Sequence, residues 1–192
     1  MPNSPNIAPP GHYMLFLINN AGVPSVARII SLKEGGGGHV NPNPNPGGGI
    51  QVGGTYSLVA RFSGKCVDVD AGATANGTKI QQWTCNGSGA QRFRVQQAAN
   101  GAFNLINVNS NKCIDVSDAS AADGQKIHQW DCSGAANQAA RFTGGTDGTF
   151  QVKFDHSGKC MDVAGTNPAD GTLIHQWTCF GGAGNQEYYF RP

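Results

Sequence analysis

Charge is scarce in this 192-residue chain. Lys and Arg number 13, Asp and Glu 12, and the formal net charge is +1. Without a basic excess there is nothing to neutralise a run of phosphates, so nucleic-acid binding is not expected. Long apolar runs are missing too. The longest, Tyr13 to Ile18, is six residues, against the roughly 20 needed to cross a bilayer, so no membrane insertion is expected. The opening Met1-Pro2-Asn3-Ser4-Pro5 has neither the basic nor the apolar stretch of a secretory leader, which leaves secretion open. No segment sustains a 3.6-residue hydrophobic period. No Cys-x-x-Cys pair is present to suggest zinc. Glycine, by contrast, is plentiful at 28 residues, about twice its usual share. With 39% apolar residues the chain can still build a core. It reads as an all-β protein rich in turns.

Composition divides the chain into a head (1–34), a linker (35–50) and a body (51–192). The linker carries GGGGHVNPNPNPGGG, where glycine maximises backbone freedom and each Asn before Pro is pushed toward extended conformations. The head has two β-like runs, HYMLFLI and VPSVARIISL, around Asn19-Asn20-Ala21-Gly22, the pattern of a hairpin. A lone two-stranded hairpin is marginal in water, so it needs something to pack on.

The body repeats. Gly64-Lys65-Cys66, Asn111-Lys112-Cys113 and Gly158-Lys159-Cys160 recur every 47 residues; so do Trp83, Trp130 and Trp177, and Gly77, Gly124 and Gly171. Three features in one register define three units, about 54–100, 101–147 and 148–192. Each holds four short β runs; in the first they are YSLVARF, KCVDVD, KIQQWTC and QRFRV. Asn111 in place of glycine fits a left-handed turn position. Three four-stranded units with pseudo-threefold symmetry predict a β-trefoil; a propeller would need more repeats. Ile80, Ile127 and Ile174, with Val95, Phe142 and Phe190, are the expected core.

Six cysteines allow 15 pairings. Symmetry selects the one in which each repeat closes its own loop: Cys66 with Cys85, Cys113 with Cys132, Cys160 with Cys179. The competing reading is six reduced, buried thiols. Disulfides would imply an oxidising compartment and an extracellular protein.

An acid stands two residues after each second-strand cysteine: Asp68, Asp115 and Asp162. The tryptophan follows it by 15 residues. Next come Gln91 alone in repeat one, Asn137-Gln138 in repeat two and Asn185-Gln186 in repeat three. The pattern CxD, (Q/H)QWxC, (N)Q-x-aromatic resembles the ricin B-type lectin family, also called carbohydrate-binding module family thirteen, over about residues 54–192. That resemblance implies that the Asp bonds sugar hydroxyls, the aromatic stacks on the ring, and Asn and Gln complete the polar contacts. The chemistry suits those residue types. An indole covers the C–H face of a pyranose, a carboxylate accepts hydroxyl protons strongly, and an Asn both donates and accepts. Gln81, His128 and His175 share one position beside the tryptophan and are expected at the rim as hydrogen-bonders, with no metal and no cofactor.

Each of these residues has a plainer reading. The tryptophans could be core, the acids could brace turns, and the Asn and Gln side chains could be structural. Two departures from the family matter. Ala90 replaces the Asn in repeat one, removing a polar contact. The family's second tryptophan is replaced by Phe93, Ala140 and Tyr188; at Ala140 this predicts a looser core filled by Phe142.

The head segment PPGHYMLFLINNAGVPSVARIISL, roughly residues 8–32, resembles the closing segment of galactose oxidase-like copper radical oxidases, without the family's copper-binding residues. It therefore resembles the tail of an oxidase rather than an oxidase. The expected function is non-catalytic, multivalent binding of carbohydrate, with galactosides favoured and the protein secreted. Alternatives are a module for xylan or another plant polysaccharide appended to a carbohydrate-active enzyme, or a β-trefoil engaging a protein partner. The sequence does not fix the oligomeric state.

Overall fold

The computed structural model describes residues 11–15, 28–32 and 49–192. They fall into two units, an N-terminal two-stranded sheet and a twelve-stranded body. In the first, β1 (Gly11–Leu15) pairs antiparallel with β2 (Arg28–Leu32), with Gly11 opposite Leu32 and Leu15 opposite Arg28. The expected turn at 19–22 lies outside the described residues, as does most of the expected linker.

The body is a β-trefoil. Repeat one supplies β3 (Thr55–Ala60), β4 (Cys66–Val69), β5 (Ile80–Trp83) and β6 (Phe93–Gln97). Repeat two supplies β7 (Phe103–Asn107), β8 (Cys113–Val116), β9 (Ile127–Trp130) and β10 (Ala140–Gly144). Repeat three supplies β11 (Phe150–Phe154), β12 (Cys160–Val163), β13 (Ile174–Trp177) and β14 (Tyr188–Arg191). The first and last strand of each repeat form a closed ring, β3-β6-β7-β10-β11-β14-β3, which leaves that barrel no free edge. The inner two strands of each repeat pair as a hairpin, β4 with β5, β8 with β9 and β12 with β13.

Period-two burial drives the barrel. In β3, Tyr56, Leu58 and Ala60 point inward while their neighbours face out. The hairpins add Val69 and Ile80, Val116 and Ile127, and Val163 and Ile174, all fully buried. Val95 and Phe142 are buried as well, while Phe190 is partly buried and packs on the same cluster. The left-handed turn before each Lys-Cys is taken by Gly64 (φ 69°), Asn111 (φ 57°) and Gly158 (φ 67°), so Asn111 adopts the conformation its side chain tolerates.

The barrel also corrects the expectation at Ala140. On one side Ala140 pairs with Phe154, where the equivalent pairs are Phe93 with Asn107 and Tyr188 with Ala60; on the other side the three partners are Phe103, Tyr56 and Phe150. In each of the first three pairs only one residue is aromatic. Ala140 is small because Phe154, itself 1% exposed, fills the space from the opposite strand. Phe142 instead stacks on Phe103, with centroids 5.1 Å apart and planes 9° apart.

The repeats are locked in a cycle. Gly77 N–H donates to Gln129 O and Gln129 N–H to Thr78 O; Gly124 with Gln176 and Gln125, and Gly171 with Gln82 and Thr172, repeat the exchange, every bond at 2.9 Å. The buried Gln82, Gln129 and Gln176 amides each donate to two carbonyls of another repeat, Gln82 to Asn167 O at 2.7 Å and Ala169 O at 3.0 Å. Three disulfides, Cys66–Cys85, Cys113–Cys132 and Cys160–Cys179, each close a loop inside one repeat.

Candidate functional site

Each hairpin carries one copy of the same arrangement. The acid sits on the first strand directly opposite the Gln or His of the second: Asp68 opposite Gln81, Asp115 opposite His128, Asp162 opposite His175. Antiparallel pairing places these side chains on one face. Gln81 Nε2 donates to Asp68 Oδ1 at 3.1 Å, and the His128 and His175 Nε2 atoms lie 3.0 and 3.1 Å from Asp115 Oδ1 and Asp162 Oδ1. A carboxylate can only accept, so Nε2 carries the proton in both histidines.

Each aspartate is braced from behind. Gln138 Nε2 donates to Asp115 Oδ2 at 2.8 Å and to Asp131 O at 2.9 Å, while its Oε1 accepts the Ser133 N–H at 2.8 Å. Gln91 and Gln186 make the equivalent three bonds to Asp68, Thr84 and Asn86, and to Asp162, Thr178 and Phe180. All three glutamines are buried with both ends of the amide engaged inside the protein. They hold the carboxylate in place, which is the structural role weighed against sugar contact.

The asparagines differ. Asn137 Nδ2 donates to Asp115 Oδ1 at 3.0 Å and Val116 O at 2.9 Å, and Asn185 Nδ2 to Asp162 Oδ2 at 2.8 Å. In repeat one Ala90 supplies no such donor. Asp68 therefore has two side-chain donors where Asp115 and Asp162 have three. A carboxylate has about four lone-pair sites, so each of the three keeps acceptor capacity for an incoming hydroxyl, and Asp68 keeps the most.

The tryptophans are the open part of the site. Trp83, Trp130 and Trp177 are 40%, 43% and 38% exposed, which excludes a core role for them. One edge of each rests on the preceding repeat in the cycle: a Cβ added to Gly171, Gly77 or Gly124 would lie 3.6–3.8 Å from Cζ3 of Trp83, Trp130 or Trp177, respectively. All three glycines have φ 81°, a conformation that strains other residues. His128 and His175 stack beside Trp130 and Trp177, with centroids 5.3 Å apart and planes 28–29° apart.

A surface cavity opens at each copy. The first, about 510 Å³, is lined by Asp68, Gln81, Trp83 and Ala90, with Asn109 from the following repeat; the second, about 410 Å³, by Asp115, His128, Trp130, Asn137 and Gln138; the third, about 330 Å³, by Asp162, His175, Trp177, Phe180 and Asn185. The structure thus brings together every residue picked out of the sequence, with Gln91 and Gln186 behind the wall rather than on it. Asn109 and Phe180 had not been picked out, because neither belongs to the repeating pattern. Among the described residues no group of three His, Cys, Asp or Glu side chains is placed to hold a metal, and no helix is long and apolar enough to cross a membrane.

A closed barrel, three hairpin lobes and one braced carboxylate beside an open indole per lobe define a β-trefoil of the lectin class. The chain belongs to the ricin-type β-trefoil lectins: a ricin-type β-trefoil lectin domain model matches residues 101–192, and a ricin-type β-trefoil lectin domain-like model matches residues 48–130. A galactose oxidase-like early set domain model matches residues 1–32. Among solved structures, the designed threefold-symmetric protein ThreeFoil is 33% identical (TM-score 0.69), the alignment covering 72% of this chain and 98% of that one. An exo-β-1,3-galactanase from Clostridium thermocellum is 36% identical (TM-score 0.69) over 71% of this chain, which spans 30% of that enzyme's length. The Rhizoctonia solani agglutinin, 22% identical (TM-score 0.66) over 74% of this chain and 96% of its own, shares the fold. No curated protein sequence matches significantly.

Proposed function

We propose that residues 49–192 bind carbohydrate non-catalytically at three surface sites, with galactose units favoured. One observation carries the reading: an open indole stands beside a carboxylate whose orientation is fixed by buried amides, and this recurs in all three lobes. The indole face takes the C–H face of a pyranose, burying apolar area with little ordering cost because the ring is already set. The aspartate accepts one or two ring hydroxyls, and Asn137 and Asn185 offer their amide oxygens beside it. Three copies of equal chemistry suit binding better than catalysis, which needs convergent groups in different roles. The galactanase similarity supports galactose over xylose as the preferred unit. Three disulfides support an extracellular setting. The similarity of residues 1–32 to an oxidase early set domain supports a module that accompanies a carbohydrate-active enzyme.

Calorimetric titration tests this. Galactose is expected to bind with a dissociation constant of about 0.1–1 mM per site, xylose more weakly, and immobilised β-1,3-galactan much more tightly through simultaneous contacts. Absence of binding to galactose, xylose and galactan alike would overturn the reading.

A further inference from the structure

The three sites differ at one wall. After Cys85, Cys132 and Cys179 come Asn86, Ser133 and Phe180. Asn86 Oδ1 turns back to accept the Ser88 N–H at 2.9 Å, and Ser133 Oγ accepts the Ala135 N–H at 3.3 Å. These are local turn bonds of the kind Asn and Ser provide. Phenylalanine can make neither, and in repeat three the loop from cysteine to glutamine is also one residue longer, Phe180-Gly181-Gly182-Ala183-Gly184-Asn185.

The result is an apolar ring held out in water. Phe180 is 54% exposed, yet its backbone is anchored on both sides: its N–H donates to Gln186 Oε1 and its carbonyl accepts Gln151 Nε2, both at 2.8 Å, while Cys179 beside it is in a disulfide. Loss of a turn bond and exposure of a large apolar ring, with nothing in the fold that gains from either, are the breaches of local consistency that mark functional positions. Phe180 also shares a cavity wall with Trp177 and Asp162.

Resting on the sugar-binding reading above, we propose that Phe180 is a second stacking platform, and that with Trp177 it makes the third site a subsite for two consecutive sugar units. Trp177 and Asp162 hold the first pyranose, and Phe180 covers a C–H face of the next. The platform carries no charge and offers no polar group, so it reads the apolar C–H face of the second unit rather than its hydroxyls. Sites one and two, with Asn86 and Ser133 folded into their own turns, lack this second platform.

The protein's three tryptophans provide the test. In a Trp83→Phe/Trp130→Phe background, whose fold is checked by circular dichroism, Trp177 is the sole indole and its fluorescence reports site three alone. β-1,3-Linked galactobiose is expected to bind at least about fivefold more tightly than galactose there, in keeping with one added aromatic stack. Phe180→Ser should bring that ratio to about one, and Phe180→Tyr should preserve it. Calorimetry on wild type and Phe180→Ser with the same two sugars gives the comparison independently of the tryptophan changes. A galactobiose preference absent from the parent, or unchanged by Phe180→Ser, overturns the proposal and leaves the monosaccharide site intact. Failure of both sugars to bind, in the wild-type protein as well, overturns the galactose reading on which the proposal rests.

Discussion

Asn76 meets Asp131 across the junction between repeats one and two, its Oδ1 accepting the Asp131 N–H at 3.0 Å and its Nδ2 donating to Asp131 Oδ2 at 2.7 Å. At the other two junctions the carboxylate sits on the opposite partner. Asp123 accepts the Thr178 N–H at 2.7 Å, and Asp170 accepts the Thr84 N–H at 2.8 Å. The lysine of each Lys-Cys pair meets a carboxylate in all three cases: Lys112 with Asp131, Lys159 with Asp123, Lys65 with Asp170. The charge has changed sides at one junction and the pairing has survived.

That exchange predicts coupling. Asn76→Asp alone places two carboxylates face to face and should lower the melting temperature by a few degrees. Asp131→Thr alone leaves Lys112 without its acid and should lower it too. The double variant reproduces the arrangement of the other junctions and should recover most of the loss. Thermal unfolding of the four proteins measures the cycle; strictly additive losses would contradict it.

The same carboxylates set the acid limb of stability. Hydrogen bonds from Lys159, Lys112 and Lys65 hold Asp123, Asp131 and Asp170 below the ordinary carboxylate range. A lowered folded-state value stabilises the protein above the ordinary aspartate value of about 4, and that contribution disappears as pH falls through the lowered values. Melting temperature should therefore drop below about pH 4. Substituting Met for Lys65, Lys112 and Lys159 should flatten that drop, measured by unfolding from pH 7 to 2.

Phe154→Ala removes the ring that fills the space over Ala140 and should cost roughly 3–5 kcal/mol. Adding Ala140→Phe recreates the large-over-small order of the Phe93–Asn107 and Tyr188–Ala60 pairs and should restore a good part of it. Chemical denaturation of both variants decides; no recovery would mean the two positions do not share one volume.

Each disulfide closes a loop of sequence separation 19, worth roughly 3 kcal/mol on the loop-entropy account. Cys113→Ala/Cys132→Ala should destabilise by about that much without altering the other two bridges, which peptide mapping of the unreduced protein would show.

Among the tryptophans, Trp130→Ala and Trp177→Ala should each remove more of the measured galactose binding than Trp83→Ala, because the first lobe has Ala90 where the others set an asparagine beside the carboxylate. Losses of about 1–3 kcal/mol per functioning site are expected, read by calorimetry with circular dichroism to establish folding. The reverse order would mean that the larger first cavity, with the spare acceptor capacity of Asp68, outweighs the missing amide.

The hairpin of each lobe was legible because its signals are local: acid, Gln or His, and tryptophan stand at fixed offsets, and antiparallel pairing alone puts them on one face. The barrel strands were legible as short β runs set between turn residues that recur at one interval. The junctions were not, since Lys65 finds Asp170 from 105 residues away and the residue type on each side varies. The role of Phe154 was hidden for a similar reason. Ala140 read alone is a defect, and only the register shows which strand fills it. Gln82, Gln129 and Gln176 did repeat at a fixed interval inside the Gln-Trp motif, a signal that could have revealed them as the pegs between lobes. Phe180 breaks the repeat, so a search for repetition passes over it.

The directed cycle of those pegs bears on how such a barrel is assembled. Gln82 reaches into the third lobe, Gln129 into the first and Gln176 into the second, and the tryptophan edges follow the same sense around the axis. Every lobe therefore offers one socket and one plug, and none fits its own. Contacts of this head-to-tail kind close after three steps and need no covalent continuity between the lobes. Three separate single-lobe peptides hold the full set of complementary surfaces, so the covalent chain here acts as a tether on what is geometrically a cyclic trimer.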